Sequence, residues 1–511
     1  MFCAAKVVLI AKLHKVQFRT KKYELVELIR LTYGRFTCSL RRPTFQVTGK
    51  QLISFRSYSM ESKFFKVSAL TAAMLGAVAM PATAEEMDVS SPVIQDEIAF
   101  FNESTISGNV NFWFRDRERG NVDAAGNNTP KETNLNHGSV FMNLGFNSGY
   151  VADVVGLDLV VYSTWDMFND GGTGHEMNFL PWDRTWDEPH WDEKEKGGVS
   201  VSTAALKFKL GANANAKLGY FQPSVPSALG VNWSFAPGTY LGGEIGANFG
   251  DLALGLVVAD QYKAPWYKYT DEMRSYADGE GSTLYSLGLR YGFGNGMSID
   301  TAYANLDERS IAHFKFKATT EGGFYYSPQL YVVKDDKQYS DDYGYQLALL
   351  TSWAAGPYSM RVEATYTGAE AKDTGMNWFA YRPTQGYGQS NGAYEIWWNN
   401  RSDFNHDGEF AGFASVSRDF SDIGAPGLNA GISGAFGLGA EAEGYKELKE
   451  YAASVFTSYA IQGGALKGAN LGMHYTKYYN DSDAPNWTGY TNAFQDESDI
   501  KVTLTIPFSV K

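Results

Sequence analysis

From residue 106 to the last residues, apolar and polar side chains alternate in short runs separated by turns and polar stretches. The alternation is clearest at the end, where Val502, Leu504, Ile506, Phe508 and Val510 share one face. Thr503, Thr505 and Ser509 take most of the other. The same period of two carries Ile106/Val110/Phe112/Phe114, Val140/Met142/Leu144/Phe146, Leu206/Phe208/Leu210 and Leu252/Leu254/Leu256/Val258. It continues in Leu287/Leu289/Tyr291/Phe293 and Met360/Val362/Ala364/Tyr366. Successive strand residues point to opposite faces, so each run predicts a strand that is apolar on one side only. No run of eighteen apolar residues occurs, and the pattern therefore predicts no helical span.

Strands of about nine to eleven residues with one apolar face can cross a bilayer only within a closed barrel, where no edge is left unpaired. The runs predict an all-β, antiparallel transmembrane barrel of about eighteen strands, with sixteen as the runner-up. An array of soluble sandwiches would need domain boundaries, and the pattern offers none. Short turns such as Gly294-Asn295-Gly296 suit the periplasmic rim. Long polar and aromatic connections at 116–136, 169–198, 222–240, 262–281, 370–393 and 480–497 suit extracellular loops. Much of the chain's glycine (53 residues) sits inside the strand runs, where it relieves crowding at bends of the wall.

If the apolar faces meet lipid, the intervening residues line the lumen. That assignment puts Arg115, Lys207, Lys209, Lys217, Arg290, Arg361 and Glu363 inside. A charge on the lipid face would cost about 2–4 kcal/mol at mid-depth, which constrains the assignment. Most of these positions are basic, so a basic wall facing acidic loops would set a transverse field across a constriction. The plainer alternative is that these charges are simply solvated.

Met60 opens an export signal: Lys63 and Lys66, an apolar stretch from Val67 to Met80, then Ala82-Thr83-Ala84 before Glu85. The expected division is an upstream extension over 1–59, a signal peptide over 60–84 and one barrel domain over 85–511. The extension carries twelve Lys/Arg against two Glu and both cysteines, Cys3 and Cys38, and looks foreign to the rest. Without these segments, 30 Lys/Arg face 54 Asp/Glu, a net charge of −24. That balance argues against a nucleic-acid partner and suits acidic loops at a lipopolysaccharide surface bridged by divalent cations. A cysteine-free barrel has neither disulfides nor thiolate metal sites.

Several segments resemble the chitoporins, a branch of the OprD-like substrate-specific porins. They are Asn232-Trp-Ser-Phe-Ala-Pro-Gly-Thr-Tyr-Leu-Gly-Gly-Glu-Ile-Gly-Ala-Asn-Phe249, Gln261-Tyr-Lys-Ala-Pro-Trp266 and Phe494-Gln-Asp-Glu-Ser-Asp-Ile500. The most specific runs from Ser390-Asn-Gly-Ala-Tyr-Glu-Ile-Trp-Trp-Asn-Asn-Arg to Ser-Asp-Phe-Asn-His-Asp-Gly-Glu409. Asn111-Phe-Trp-Phe-Arg-Asp-Arg117 and Leu218-Gly-Tyr-Phe-Gln-Pro223 resemble the wider OprD-like pattern. The resemblance covers nearly the whole chain after the export signal. It implies a monomeric outer-membrane barrel of eighteen strands that admits chitin oligosaccharides, with the third extracellular loop, within 222–240, folded inward as a constriction. It also implies insertion by the barrel assembly machinery. Such barrels usually end on an aromatic residue; this chain ends Phe508-Ser-Val-Lys511, with Phe508 on the outward face.

A chitin oligosaccharide is neutral and flat-faced, with an N-acetyl group on each ring. Its passage calls for aromatic platforms and for polar partners weak enough to release it. Trp233, Tyr240, Tyr262, Trp266, Trp397 and Trp398 are the candidate contacts, and Trp182, Trp186 and Trp191 cluster in one acidic loop. Trp113 and Trp165 suit girdle or wall roles. Only one of Trp397 and Trp398 can face the pore if that segment is extended. Asp403, Asn405 and Asp407, followed by Gly408, match the first half of a calcium loop, although the twelfth position is Ala414. A turn held by Asp and Asn side chains explains the same spacing.

Two other functions remain open at this point. A related channel could carry amino acids or aromatic carboxylates, in which case the basic lumen residues would matter more than the tryptophans. A barrel hydrolase would need a nucleophile or metal constellation. His137, His175, His190, His313, His406 and His474 have no such spacing, and no enzymatic activity is expected.

Overall fold

The computed structural model describes residues 99–510, apart from 120, 123–127, 130–134, 171–196, 232–234, 266, 275–280, 373–377, 385–389, 391, 441–447 and 481–495. The expected extension and signal peptide lie outside the described residues, as do Trp182, Trp186, Trp191, Trp233 and Trp266.

Eighteen long strands follow one another in chain order. The first six are β1 (Thr105–Arg119), β2 (Leu135–Asn147), β3 (Val155–Asp170), β4 (Gly197–Lys209), β5 (Ala214–Phe221) and β6 (Thr239–Phe249). Next come β7 (Leu252–Lys263), β8 (Leu284–Gly294), β9 (Met297–Leu306), β10 (Arg309–Thr319), β11 (Tyr325–Lys334) and β12 (Tyr343–Ala355). The series ends with β13 (Tyr358–Gly368), β14 (Phe410–Asp419), β15 (Leu428–Ala440), β16 (Leu448–Ala460), β17 (Asn470–Asn480) and β18 (Glu497–Ser509). Each pairs antiparallel with its neighbours in sequence. β18 closes the cylinder on β1, from Ser107 opposite Ser509 to Arg119 opposite Glu497. Closure leaves no sheet edge, which is what a strand-built membrane span requires.

The predicted faces follow from the period of two. On β12, Tyr345, Leu347 and Leu349 are exposed outward while Gln346, Ala348 and Leu350 are buried on the inner side. The longest connections all lie on one rim, after β1, β3, β5, β7, β13 and β17, while those on the other rim have nine residues or fewer. The Gly294-Asn295-Gly296 turn has positive φ throughout (75°, 51° and 73°), as a tight two-residue hairpin demands.

Two boundaries differ from the sequence expectation. β1 continues through Arg119 because its last residues still pair with β18, Asp116 opposite Ile500 and Arg117 opposite Asp499. The connection expected at 370–393 runs on to 409. Residues 394–407 enter the barrel interior, and the chain rejoins the wall where Gly408 and Glu409 exchange backbone hydrogen bonds with Thr367 of β13.

Candidate functional site

Two connections fold into the lumen. The first, 222–238, is the third on the long-loop side and lies where the constriction was expected. Its path is set by glycines on the inner wall. A Cβ at Gly255 or Gly288 would overlap Pro226, and one at Gly246 would lie 2.7 Å from the Val225 side chain. These in-strand glycines make room for a backbone, a different reason from wall bending. The Ala228 N–H then donates to Ser286 Oγ at 2.9 Å. Farther along, the Phe235 ring lies 5.6 Å from Trp113 and 5.7 Å from Phe141, and Asn143 Nδ2 donates to its carbonyl at 3.2 Å. The loop thus touches β8 near its start and β1–β2 near its end.

The second, 369–409, is clamped by buried charge. Arg309 donates to the carbonyls of Ala380 (3.0 Å) and Arg382 (2.7 Å) while its guanidinium pairs with Asp335. Glu395 accepts from Lys315 (2.9 Å), Lys317 (2.7 Å) and Gln329 (2.9 Å). Beyond it, Trp398 Nε1 donates to Glu363 at 2.8 Å, Lys501 Nζ to Asn399 at 2.9 Å, and Ser454 Oγ to Asn400 at 2.9 Å. Arg401 pairs with Glu497. Residues 393–401 therefore sweep past the inner wall from β10 to β18. The two loops meet where Leu229 bridges Gly392 and the Ala393 N–H donates to the Ala228 carbonyl at 2.8 Å.

This geometry divides the candidate aromatics. Tyr240 and Tyr262 are fully buried, with ring centroids 4.7 Å apart and the Tyr240 hydroxyl donating to Gly230 O at 2.9 Å. They anchor the first loop and present no face to a solute, contrary to the sequence expectation. Trp398 is also packed away, stacked on Phe413 at 5.5 Å. Its neighbour Trp397 is 51% exposed and lines a cavity of about 150 Å³ with Tyr394, Asn399, Arg401, Asp403 and Lys501. Trp113 is a wall residue under the first loop, while Trp165 is exposed.

The lumen charges are paired locally. Arg115 meets Asp499 at 2.7 Å, Arg290 meets Asp300 at 2.9 Å, and Arg361 meets Glu363 at 2.8 Å. Lys207 lies 3.0 Å from Asp158, and Lys217 lies 3.8 Å from both Asp158 and Glu244. Lys209 pairs with Asp153 of the 148–154 turn, at the short-turn rim and away from the constriction. Each of these cations therefore meets a carboxylate on its own strand, on a nearby strand or, for Lys209, in the adjoining turn. Lys315, Lys317 and Glu395 were not singled out from the sequence. The alternation of His313, Lys315 and Lys317 with Phe314 and Phe316 carried the signal.

Nor do Asp403, Asn405 and Asp407 converge as calcium ligands. Asn405 Nδ2 donates to Phe379 O at 2.6 Å, Asp407 Oδ1 accepts from the Ala369 N–H at 2.6 Å, and Asp403 is exposed. The Asn405 and Asp407 side chains tie the loop together, as the alternative reading of the spacing proposed.

Comparison with known proteins places this barrel among relatives. The family model described as outer membrane porin, OprD family, matches residues 98–509. The chain is 33% identical over 470 residues to a protein named Chitoporin from Escherichia coli (strain K12), covering 86% of this chain and 96% of that one. Among solved structures it resembles Pseudomonas aeruginosa OpdK, crystallised with vanillate, with a TM-score of 0.62 and 16% identity over 80% of this chain and 100% of that one. It also resembles a BenF-like porin from Pseudomonas fluorescens, with a TM-score of 0.62 and 18% identity over 80% of this chain and 100% of that one. Acinetobacter baumannii OccAB1 gives a TM-score of 0.62 at 16% identity, covering 81% of this chain and 98% of that one. At these identities the structural likeness bears on the fold alone.

Proposed function

The chain belongs to the OprD family of outer-membrane porins, and from that premise we propose that it takes up chitin oligosaccharides by passive diffusion through the narrowed lumen. The observation that carries this reading is the half-exposed Trp397 ring on a segment clamped to a wall of paired charges. A neutral sugar gains from an aromatic platform and from amide or hydroxyl partners, whereas an anionic solute needs uncompensated cations. Here Arg115, Lys207, Lys217, Arg290, Arg361, Lys315 and Lys317 each lie beside a carboxylate. Asn399 and Asn400, two and three residues after Trp397, line the same cavity and carry amides suited to an N-acetyl group.

The barrel would act as a monomer, inserted by the barrel assembly machinery beside lipopolysaccharide, and would catalyse no reaction. Planar-bilayer recording of the purified barrel tests the substrate. Graded chitin oligosaccharides should interrupt the single-channel current, with longer residence for longer chains. Vanillate or other carboxylates that block at lower concentration than any chitin oligosaccharide would assign the channel to anionic solutes instead.

A further inference from the structure

The geometry points to a divalent metal site made by one imidazole and two carboxylates, His406, Glu409 and Glu450, at the seam where the second inward loop rejoins the wall. His406 and Glu409 come from the last turn of that loop, and Glu450 from β16, two strands away from β14. His406 Nδ1 lies 3.2 Å from Glu409 Oε2 and 3.4 Å from Glu450 Oε1, and all three side chains are fully buried. Donors about 2.0–2.1 Å from a tetrahedral cation stand about 3.3–3.4 Å from one another, the spacing seen here.

Three further features aim these groups at a common point. Glu409 Oε1 and Glu450 Oε1 are buried without a hydrogen-bond partner among the described residues. A buried carboxylate oxygen left so is costly unless a cation answers it. Glu450 is meanwhile oriented through its other oxygen, Tyr478 donating its hydroxyl to Oε2 at 2.7 Å, and the His406 backbone N–H holds Glu409 Oε2, the oxygen beside Nδ1, at 2.9 Å. Such outer hydrogen bonds commonly fix metal ligands. On the strand between β14 and β16, Gly437 completes the cradle, since a Cβ there would overlap Glu409 Oε1 and lie 3.0 Å from Glu450 Cγ.

The donor set selects the ion. A nitrogen ligand with only two carboxylates in a dry site suits zinc or a neighbouring transition ion, whereas calcium and magnesium demand six or more oxygens, much of that from water. The bound ion would neutralise two buried carboxylates and pin the end of the 369–409 loop to β16. The proposal is independent of the transported solute.

Zinc binding by the full-length barrel, stripped with chelator in denaturant and refolded into detergent, tests the proposal. Elemental analysis after dialysis should find one equivalent of zinc. Cobalt(II) in its place should give the intense visible bands of a tetrahedral ion, and the thermal midpoint should rise by several degrees with zinc but not with calcium. His406→Gln should lose the zinc while keeping the heat-modifiable mobility of a folded barrel. Should that variant fail to fold, the cobalt spectrum of the native chain decides alone. A folded native barrel that retains no stoichiometric zinc and gives no tetrahedral cobalt spectrum would overturn the assignment, as would full zinc retention by folded His406→Gln.

Discussion

Leu229 of one inward loop is bridged to Gly392 of the other, so the two arms of the constriction brace each other inside the barrel. The contact depends on the absence of a side chain at residue 392, where a Cβ would overlap the Tyr381 ring and lie 2.8 Å from the Tyr381 carbonyl. Tyr381 cannot retreat, because its hydroxyl meets His313 Nδ1 at 2.9 Å and its ring packs 4.9 Å from Tyr331. Overfilling such a contact costs about 1–3 kcal/mol. Gly392→Ala should therefore part the loops while leaving the wall intact. Single-channel recording should show a larger and noisier conductance, with heat-modifiability unchanged. Unaltered conductance would mean that the bridge does not set the width of the passage.

Trp397 and Trp398 should respond differently to substitution although they are adjacent. Removing the exposed ring in Trp397→Ala should weaken blocking by a chitin oligosaccharide by roughly 2- to 13-fold, the loss of one aromatic contact of about 0.5–1.5 kcal/mol. Thermal stability should barely change. Trp398→Phe instead takes a donor from the buried Glu363 carboxylate, a loss of about 1–3 kcal/mol in stability. Blocking titrations and thermal melts on the same two variants separate the roles. Equal effects of both on blocking would argue against a platform at Trp397.

The wall was far more legible than the constriction. Period-two alternation told which of Arg361 and Val362 faces water, because a membrane penalises the wrong choice heavily. No comparable rule governs what covers an inward residue. Tyr240 and Tyr262 look like open platforms in the sequence, yet the first inward loop buries them. Gly255 and Gly288 are likewise ambiguous until Pro226 lies against them. The second loop extends to 409, beyond the 370–393 expected from the sequence, because residues 394–401 are held inside the barrel. Their backbone groups meet wall side chains distant in sequence, such as Tyr331 and Thr476, and a one-dimensional pattern cannot see them. The ion pairs Arg290–Asp300 and Arg115–Asp499 were hidden for the same reason, since charge counting along the chain does not give register.

Arg309 holds the second loop at its outer end. Its side chain is 1% exposed, and it serves Asp335, Gln338 and two loop carbonyls together. Arg309→Met would leave Asp335 buried without its guanidinium, and breaking such a pair costs about 3–5 kcal/mol. The expected result is a clear fall in thermal midpoint together with a wider, noisier channel. The double variant Arg309→Met with Asp335→Asn should recover much of the stability, because no lone charge remains, but not the quiet conductance. A single variant as stable as the native barrel would show that the loop finds another anchor.

Glu395 sets how the constriction answers to pH. Burial alone would raise its carboxyl, but the ammonium groups of Lys315 and Lys317 outweigh that and hold it below the ordinary glutamate range. A carboxylate depressed in the folded state stabilises fully above its unfolded value, about 4.3, and ceases to do so as pH falls through its folded value. The clamp should therefore be complete at neutral and mildly acidic pH. It should fail only below the usual glutamate range, when protonation removes the partner of both lysines. Recordings should stay quiet as pH falls through the ordinary glutamate value, about 4.3, and become noisy only below it. In Glu395→Gln, both lysines lose their counter-charge at every pH, so the channel should be noisy throughout and its low-pH transition should vanish. A transition that persists unchanged in that variant would assign the pH response to another group.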